Sequence, residues 1–529
     1  MKGIDLAVAL IPIVSLIWLI TKRRGSSASV ALPLVAALLY ISQVIYFKTD
    51  LNVLHAAVLD GLLTALTPLS IIWGAILLFK TMEHSGALGI VNGWLNHITA
   101  NRVGQLMIVG WSFSFLVEGI SGFGTPAALA APLLAGLGYP LVPVAAFCLI
   151  MNSVPVSFGA VGMPVWFGFG ELGLAGDELL EIGFKTALIH AAASLVVPLL
   201  ALRLMISWQE IKRNLLFIYL SVLSSVLPYL FLAILSVEFP SILGGFVGLV
   251  LSVIAAKAGL GLASEEPELP QTAKPVSAGV LTKAFFPIWA TVLILLISRV
   301  PGFGIKEWLA NSPALWKFDL ANLGTFQASP SLVLQLQSIF GTEVHWKHAV
   351  LYVPSILPFG LVSIACFALF RMPMKSIRKT WEETWNRLGK AVFALFGATV
   401  FAKLFMLGGE KSSANIIGGS LATVVGNGWQ FAAVYMGAFG AFFSGSNTVS
   451  NLTFAGVQDS IARSLALNRT TTLALQSAGG AMGNMVCIHS IVAVSAVLGL
   501  RNQEGSIIRK TFLPLLVYGV IAGLVSIFI

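Results

Sequence analysis

The 529-residue chain is 57% hydrophobic and only 10% charged, whereas soluble domains carry about 25% charged residues. This composition excludes a soluble globular enzyme, a disordered chain and a fibrous protein, and it indicates helices packed within lipid. The formal net charge is +9, and the basic residues fall in short loops between apolar runs. There they set membrane topology, so we expect the lipid bilayer as a partner and no nucleic acid.

Apolar runs of about 20 residues are long enough to cross the hydrocarbon of a bilayer as helices, and such runs recur along the whole chain. The sequence therefore predicts an all-α, polytopic membrane protein with about 12 transmembrane helices. The predicted spans lie near residues 4–21, 28–47, 53–80, 140–166, 180–206, 214–236, 240–257, 281–299, 348–370, 389–407, 470–499 and 508–528.

Two further apolar stretches, about 103–139 and about 431–467, are rich in Gly, Ser, Asn or Pro at their centres. A backbone that leaves its helix within a bilayer exposes N–H and C=O groups, which only protein or a water-filled cavity can satisfy. We therefore predict that each stretch is a re-entrant helical hairpin whose tip lies at a binding site.

The basic residues also orient the chain. If the first helix runs from outside to inside, most basic loops fall on the cytoplasmic side, which is the positive-inside bias of membrane proteins. Both termini are then extracytoplasmic, and so is the long segment 300–347. Its Trp308, Trp316 and Trp346 are interpreted as anchors at the membrane interface.

A stretch rich in Pro and Glu at 258–280 is the clear linker of the chain and is predicted to be cytoplasmic. Each half of the chain contains a broken stretch followed by a span with polar residues early in it. On the predicted topology the two broken stretches enter the membrane from opposite sides. Residues 1–257 and 281–529 are therefore predicted to form an inverted repeat, the plan of many secondary transporters.

The two predicted hairpin tips combine residues that permit a tight turn with residues that bind polar groups. The first tip reads EGISGFGTP (118–126) and the second reads SGSNTVSN (444–451). The helix after each tip would direct its free N–H groups at a cavity, which suits a small carboxylate. Alternatively, these small residues only permit close helix packing. The candidate substrate-binding residues are Ser121, Gly122, Gly124, Thr125, Asn152, Ser153, Ser444, Ser446, Asn447, Asn451 and Gln476.

Three ionisable residues, Glu118, His489 and Asp60, are candidates for proton coupling. An acid in a membrane span is costly unless it is protonated, paired or functional, and burial favours the neutral form of a carboxyl group. Glu118 could carry a proton or be a structural carboxyl that holds the hairpin. His489 could relay protons near pH 7 or only pack, and Asp60 could join a proton path or be held by a local contact. Lys403 is expected to extend its amine outward.

Motifs for other chemistries are absent from the sequence. There is no GxxxxGK[ST] for ATP and no HExxH for zinc, and the acids form no cluster that would hold Mg²⁺. The three cysteines are isolated within apolar stretches, which argues against a metal or disulfide framework. We therefore predict no enzyme activity, no cofactor and no metal site.

Four motifs, EGISGFGTP (118–126), NSVPVSFGAVGMP (152–164), GSNTVSN (445–451) and GGAMGNMVCIHSIVAVSAVLGL (479–500), resemble the bacterial L-lactate permease family in sequence, order and separation. The resemblance extends more loosely over nearly the whole chain. The linker and the segment 300–347 carry no motif of that family.

The resemblance implies a proton symporter of the bacterial inner membrane that imports L-lactate and related 2-hydroxy monocarboxylates such as glycolate, with D-lactate a further candidate. It implies an elevator-type transporter in which both hairpins belong to the moving part, and it suggests a homodimer. Asn152 or Gln476 is then the candidate to bind the 2-hydroxyl group. The rival hypotheses are a sodium-coupled carrier of another organic anion, a membrane-embedded enzyme and a channel.

Overall fold

Long apolar helices make up most of the molecule, as the composition predicts. The computed structural model describes residues 3–21, 27–122, 125–263, 277–299 and 303–529, without the side chains at 20, 21, 96, 390 and 427. Within these residues, ten helical runs are apolar and long enough to cross a membrane, or eleven if one bent pair counts as a span. The predicted class, a nearly all-helical polytopic membrane protein, is confirmed.

The helices of the first half of the chain are α1 (Gly3–Thr21), α2 (Ala28–Ile45), α3 (Leu51–Thr64), α4 (Leu66–His84), α5 (Ala87–Asn96), α6 (Arg102–Gln105), α7 (Ser114–Ser121), α8 (Thr125–Gly136), α9 (Leu141–Met151), α10 (Gly159–Trp166), α11 (Gly176–Ser194), α12 (Val197–Arg203), α13 (Trp208–Arg213), α14 (Leu215–Leu235) and α15 (Pro240–Lys257). Those of the second half are α16 (Ala278–Arg299), α17 (Ile305–Asn311), α18 (Val362–Leu369), α19 (Met374–Met406), α20 (Ser413–Val425), α21 (Trp429–Ser444), α22 (Asn447–Ser464), α23 (Arg469–Gly483), α24 (Ile488–Val497) and α25 (Glu504–Val525).

The chain divides into two compact units, each built from a segment of either half. Unit 1 is residues 1–91 with 276–417, and unit 2 is residues 92–275 with 418–529. The inverted repeat of residues 1–257 and 281–529 stays a prediction. Of the predicted linker 258–280, residues 264–276 lie outside the described residues.

In unit 1, the 33-residue helix α19 packs against α2, α3 and α4. This contact holds an ion pair with a buried carboxylate, because Lys403 Nζ of α19 lies 2.7 Å from Asp60 Oδ2 of α3. The prediction that Lys403 extends outward is therefore wrong. A buried carboxylate within reach is a better partner for the amine than the distant interface, since an unpaired charge in an apolar surrounding is costly.

Unit 1 also carries an antiparallel sheet with the strand order β1-β2-β3-β4. Its strands are β1 (Trp316–Asp319), β2 (Thr325–Ala328), β3 (Val333–Gln337) and β4 (Trp346–Ala349). The sheet packs on α3 through a cluster that contains Ala56, Leu336, Ile339 and Trp346. Trp346 is only 5% exposed there, so its assignment as an interfacial anchor is wrong.

The sheet also corrects one predicted span. Residues 348–370 do not form one helix, because the run begins in β4 and reaches α18 through a π-helical turn, Ile356–Leu361. Trp308 and Trp316 are 52% and 46% exposed, and their interfacial role stays a prediction.

In unit 2, two helical hairpins occupy the stretches predicted to break. Helix α7 continues from a π-helical stretch, Leu106–Phe113, and α8 turns back to pack against both. Helices α21 and α22 form the second hairpin, and α23 packs against both of its arms. We call the turn between α7 and α8 the first tip and the turn at Gly445–Ser446 the second tip. Membrane re-entrance of the hairpins stays a prediction.

Two other predicted spans of unit 2 are also interrupted. The run 140–166 is not one helix, because α9 ends at Met151 and the chain resumes with a 57° bend between Leu141–Met151 and Pro155–Leu172. The run 470–499 breaks between α23 and α24, where Asn484–Val486 forms a 3₁₀ turn. Together with the two hairpin turns, these make four helix breaks among the described residues of unit 2, and sequence reasoning missed the latter two.

Candidate functional site

The four helix breaks of unit 2 meet around one cavity. It encloses about 300 Å³ with its open mouth included. Its walls come from both hairpins, from the interrupted run after α9 and from the 3₁₀ turn after α23. The lining residues are Glu118, Gly122, Val156, Gly159, Ala160, Met163, Pro164, Gly445, Ser446, Asn447, Thr448 and Asn484.

At the first tip, the chain turns at Gly122, whose φ of 61° is accessible mainly to glycine. Glu118 lies one helical turn earlier and is 2% exposed. Its carboxyl oxygen Oε2 accepts a hydrogen bond from Asn152 Nδ2 at 3.0 Å. Among the described residues, no Lys or Arg forms an ion pair with it. A buried carboxyl group with only an amide for a partner is costly when ionised and inexpensive when protonated.

At the second tip, α21 ends at Gly445 with a φ of 74°, and Ser446 caps α22. The Ser446 hydroxyl accepts a hydrogen bond from the backbone N–H of Val449 at 3.4 Å. Asn447 and Thr448 open the 18-residue helix α22 at the cavity wall. The first turn of a helix carries backbone N–H groups without intrahelical partners, so this wall favours a negatively charged ligand.

The interrupted run after α9 supplies the wall that sequence reasoning missed. Ala160, Val161 and Gly162 all have positive φ angles, of 47°, 60° and 74°, a conformation that is rare for residues with a side chain. Asn451 Nδ2 of the second hairpin donates to Pro164 O at 2.9 Å and ties the hairpin to this run. Gly159 and Pro164 were the available signal, since both weaken a continuous helix.

A buried hydrogen-bond network leads from the cavity wall into the interior of unit 2. Asn447 Nδ2 lies 3.2 Å from Ser157 Oγ and donates to Ser477 O at 3.1 Å. Ser157 Oγ also lies 2.8 Å from Nε2 of His190, and Nδ1 of the same ring contacts the Tyr518 hydroxyl. His190 is fully buried. Sequence reasoning overlooked Ser157, His190 and Tyr518, because none lies in a stretch that was predicted to break.

Of the predicted site residues, the structure brings Glu118, Gly122, Ser446 and Asn447 to the cavity wall. Asn152 lies behind Glu118 as its hydrogen-bond donor.

His489 is exposed and packs beside Gly445, where a Cβ would lie 3.0 Å from His489 Cβ. Gly124 lies outside the described residues.

The remaining predicted residues do not line the cavity. The hydroxyls of Ser121, Ser153 and Ser444 donate to backbone carbonyls of the preceding helical turn, Val117 O, Ile150 O and Gly440 O. Thr125 is not a lining residue either, although its backbone N–H donates to the carbonyl of the lining residue Gly122 at 3.2 Å.

Gln476 lies deeper than the cavity wall. It donates to Ser450 Oγ at 3.0 Å and accepts from Gln458 Nε2 at 3.0 Å. It therefore connects α23 to the second hairpin.

Asp60 belongs to unit 1 and is held by Lys403 and by the hydroxyl of Thr64, which donates to Asp60 Oδ1 at 3.1 Å. These contacts account for its burial. A role for Asp60 in proton coupling stays a prediction.

A comparison with known proteins finds a matching protein family. The model of the family described as L-lactate permease matches residues 5–529. A relative from Haemophilus influenzae, provisionally named an L-lactate permease, is 45% identical over 521 residues that cover 98% of each chain. The L-lactate permease of Escherichia coli K12 is 26% identical, covering 98% of this chain and 94% of that one. The glycolate permease GlcA of the same organism is 25% identical, covering 99% and 95%.

Proposed function

Because this chain belongs to the L-lactate permease family, we propose that it imports L-lactate and related small 2-hydroxy monocarboxylates, glycolate among them, together with protons. The family consists of permeases, so the chain is a membrane transporter and not an enzyme. What we propose beyond this is the identity of the substrate and of the coupling ion. D-lactate is a further candidate substrate, since the position of a hydroxyl group relative to the carboxylate is the same in both enantiomers.

One observation carries the proposal: the cavity of unit 2 combines an anion-binding helix start with a buried carboxyl group. The N-terminus of α22 offers backbone N–H groups and the positive end of a helix dipole. Glu118 is the one titratable side chain among the described lining residues. A monocarboxylate would place its charge against the helix start, with Ser446 and Asn447 beside it.

The charge balance of the cavity makes proton coupling the favoured mechanism. No Lys or Arg is among the described lining residues, so an anion beside ionised Glu118 would give the cavity two negative charges. At about 4 Å and an effective dielectric constant of 20, their repulsion is about 4 kcal/mol. Protonation of Glu118 removes this repulsion and leaves one charge for the helix start to bind. Proton and anion therefore favour each other's binding, and the effect is reciprocal.

The 2-hydroxyl group has a candidate acceptor in Asn152, which lies next to the lining residue Glu118, one side chain behind the cavity wall. Its amide nitrogen is used by Glu118, while its Oδ1 is buried and has no hydrogen-bond partner among the described residues. Asn447 Oδ1 is in the same situation. A buried acceptor without a donor is destabilising, and a hydroxyl group of a bound substrate would supply that donor. Pyruvate and propionate lack it, so they should compete poorly.

The same two amide oxygens support one rival, a sodium-coupled carrier. Hard cations prefer oxygen ligands, and amide and carboxyl oxygens are of that type. The rival differs in its requirement, since uptake would then depend on sodium at constant pH.

Uptake of radiolabelled L-lactate into proteoliposomes tests the proposal. We expect saturable accumulation driven by a proton gradient without sodium, inhibited by glycolate and not by succinate. Liposomes with a collapsed pH gradient and liposomes without protein are the controls. Accumulation that needs sodium and ignores the pH gradient would favour the rival, and conduction without saturation would indicate a channel.

The orientation of the chain is proposed on the positive-inside bias, with both termini outside a bacterial inner membrane. Single cysteines near residue 3 and residue 529 should react in intact cells with a thiol reagent that does not cross membranes. Reaction only after lysis would reverse the topology.

A further inference from the structure

The outer strand of the sheet in unit 1, β1, has an edge that no other strand covers within the described residues. All four of its residues are exposed, with Trp316 46% and Phe318 54% accessible. The opposite edge is protected, because β4 lies against α3 and α17 and Lys347 Nζ donates to Asn311 Oδ1 at 2.9 Å. An exposed edge strand is a template for pairing with another strand, and proteins usually block such edges.

The backbone of β1 shows which residues are available at this edge. The Leu320 N–H donates to Gly324 O at 2.9 Å where β1 turns into β2. Opposite residues of an antiparallel pair alternate between hydrogen-bonded and non-hydrogen-bonded positions. Phe318 therefore directs its N–H and C=O toward β2, whereas Lys317 and Asp319 direct theirs toward the open edge.

We propose that β1 of a second copy of this chain pairs with this edge, so that the protein is a homodimer with a sheet continuous across the two-fold axis. An antiparallel pair of identical strands must place outward-facing residues opposite one another. Centring the axis on Lys317 opposes two lysines, and centring it on Asp319 opposes two aspartates. Centring it on Phe318 opposes Lys317 to Asp319 of the second copy, twice, and only this register joins opposite charges.

The side chains support the same register. Phe318 faces Phe318 of the second copy, and Trp316 faces Leu320, so the exposed apolar side chains of both copies cover each other. The two Lys317–Asp319 positions are hydrogen-bonded pairs and would form four backbone hydrogen bonds across the axis. Asp319 Oδ1 accepts a hydrogen bond from the Ala321 N–H at 3.0 Å. Its other carboxylate oxygen, Oδ2, can accept from Lys317 of the second copy.

Disulfide cross-linking of the full-length protein in native membranes tests the register. At a non-hydrogen-bonded pair the two Cα atoms lie about 4.5 Å apart, within disulfide range, so Phe318→Cys should give a covalent dimer under mild oxidation. The matched control is Lys317→Cys. Its two copies would be about 8 Å apart, beyond that range, and should stay monomeric on a denaturing gel. The natural cysteines, Cys148, Cys366 and Cys487, are buried.

Charge reversal tests whether the Lys317–Asp319 pairs set the register. In the Phe318→Cys background, Lys317→Asp opposes like charges and should lower the cross-linking yield at least about fivefold, while adding Asp319→Lys should restore it. Thermal unfolding of each purified variant checks that it folds. The proposal is overturned if the folded Phe318→Cys protein gives no dimer, if Lys317→Cys cross-links in its place, or if charge reversal has no effect. A β1 inserted in lipid would give the first result together with protection of Cys at 318 from water-soluble maleimide.

Discussion

Two buried acids, one in each unit, are held in opposite ways. Asp60 in unit 1 has a counter-charge, since Lys403 Nζ lies 2.7 Å away. Glu118 in unit 2 has the amide of Asn152 as its side-chain partner and no basic residue among those described. The Asp60 site is neutral with both groups charged, whereas the Glu118 site becomes neutral only when it binds a proton.

The sequence presents these acids as equivalent, because each is an acid in an apolar run. The difference lies in their partners, which come from distant parts of the chain. Burial of an acid therefore does not by itself mark a proton carrier. An acid without a counter-charge beside a cavity is the stronger candidate, and the comparison favours Glu118 over Asp60.

The largest expected effect is that of Glu118→Gln. Gln keeps the shape and can accept the Asn152 hydrogen bond, but it cannot exchange a proton. With one proton per anion, the ratio of internal to external lactate should be about tenfold per pH unit in the unmodified protein. We expect this ratio to fall to about one in the variant, while lactate exchange between the two sides persists. Uptake and counterflow in the same proteoliposomes measure both. Undiminished accumulation driven by the pH gradient would exclude Glu118 as the proton carrier.

The ion pair of unit 1 should matter for stability and not for coupling. Asp60→Ala removes the buried carboxylate that lies 2.7 Å from Lys403 Nζ, which should cost about 3 kcal/mol of unfolding free energy. Replacing both residues, Asp60→Leu with Lys403→Met, removes the charge problem and should recover the stability to within about 1 kcal/mol. Thermal unfolding of the purified variants measures this.

The same double variant also tests whether Asp60 takes part in proton coupling. Since it lacks Asp60 yet keeps Glu118, it should still accumulate lactate against its gradient. Loss of proton-driven accumulation in a folded double variant would transfer the coupling role to Asp60.

A smaller effect is expected from crowding the Glu118 carboxyl. A Cβ on Gly159 would lie 2.5 Å from Glu118 Oε1, so Gly159→Ala must displace that group while the backbone φ remains ordinary. We expect uptake to fall about tenfold, equivalent to about 1.4 kcal/mol, without loss of folding. Gly136→Ala is the matched control, since a Cβ there meets no atom within 4 Å. Equal uptake by the two variants would show that Glu118 tolerates displacement.

The sequence predicted much of the fold because membrane helices and their breaks have strong local signals. Apolar runs predicted most of the spans, although three of them, 140–166, 348–370 and 470–499, are interrupted, and the Gly, Ser and Asn clusters predicted where both hairpins turn. The sheet was missed, since its strands have four or five residues and stand among loops. The break after α9 was missed because a long apolar run outweighed the signals of Gly159 and Pro164.

The site was predictable where its residues lie at a break and unpredictable where it depends on contacts. Glu118, Ser446 and Asn447 were found from the tips. His190 was not, because its connection to Asn447 through Ser157 joins residues far apart in the chain. No local pattern marks a hydrogen bond of that kind.

The smallest expected effect concerns His348, whose protonation makes the stability of the protein depend on pH. This pH dependence must be separated from that of transport through Glu118. Burial lowers the pKa of His348, in strand β4, to about 4. The unfolded chain, with an ordinary His pKa near 6.5, binds a proton that the native state excludes. The contribution of neutral His348 to the unfolding free energy is therefore present in full well above pH 6.5, and it is lost as the pH falls toward 4.

Between pH 7 and pH 6 this term should lower the unfolding free energy by about 0.7 kcal/mol. His348→Gln should abolish that part of the decline, which unfolding at both pH values would measure. Thr67 Oγ1 lies 2.9 Å from His348 Nδ1, and Gln can still reach it with a polar atom. If transport by His348→Gln keeps the pH profile of the unmodified protein, the profile reports Glu118 and not a loss of folded unit 1. A profile that flattens in this variant would instead assign the pH dependence to stability.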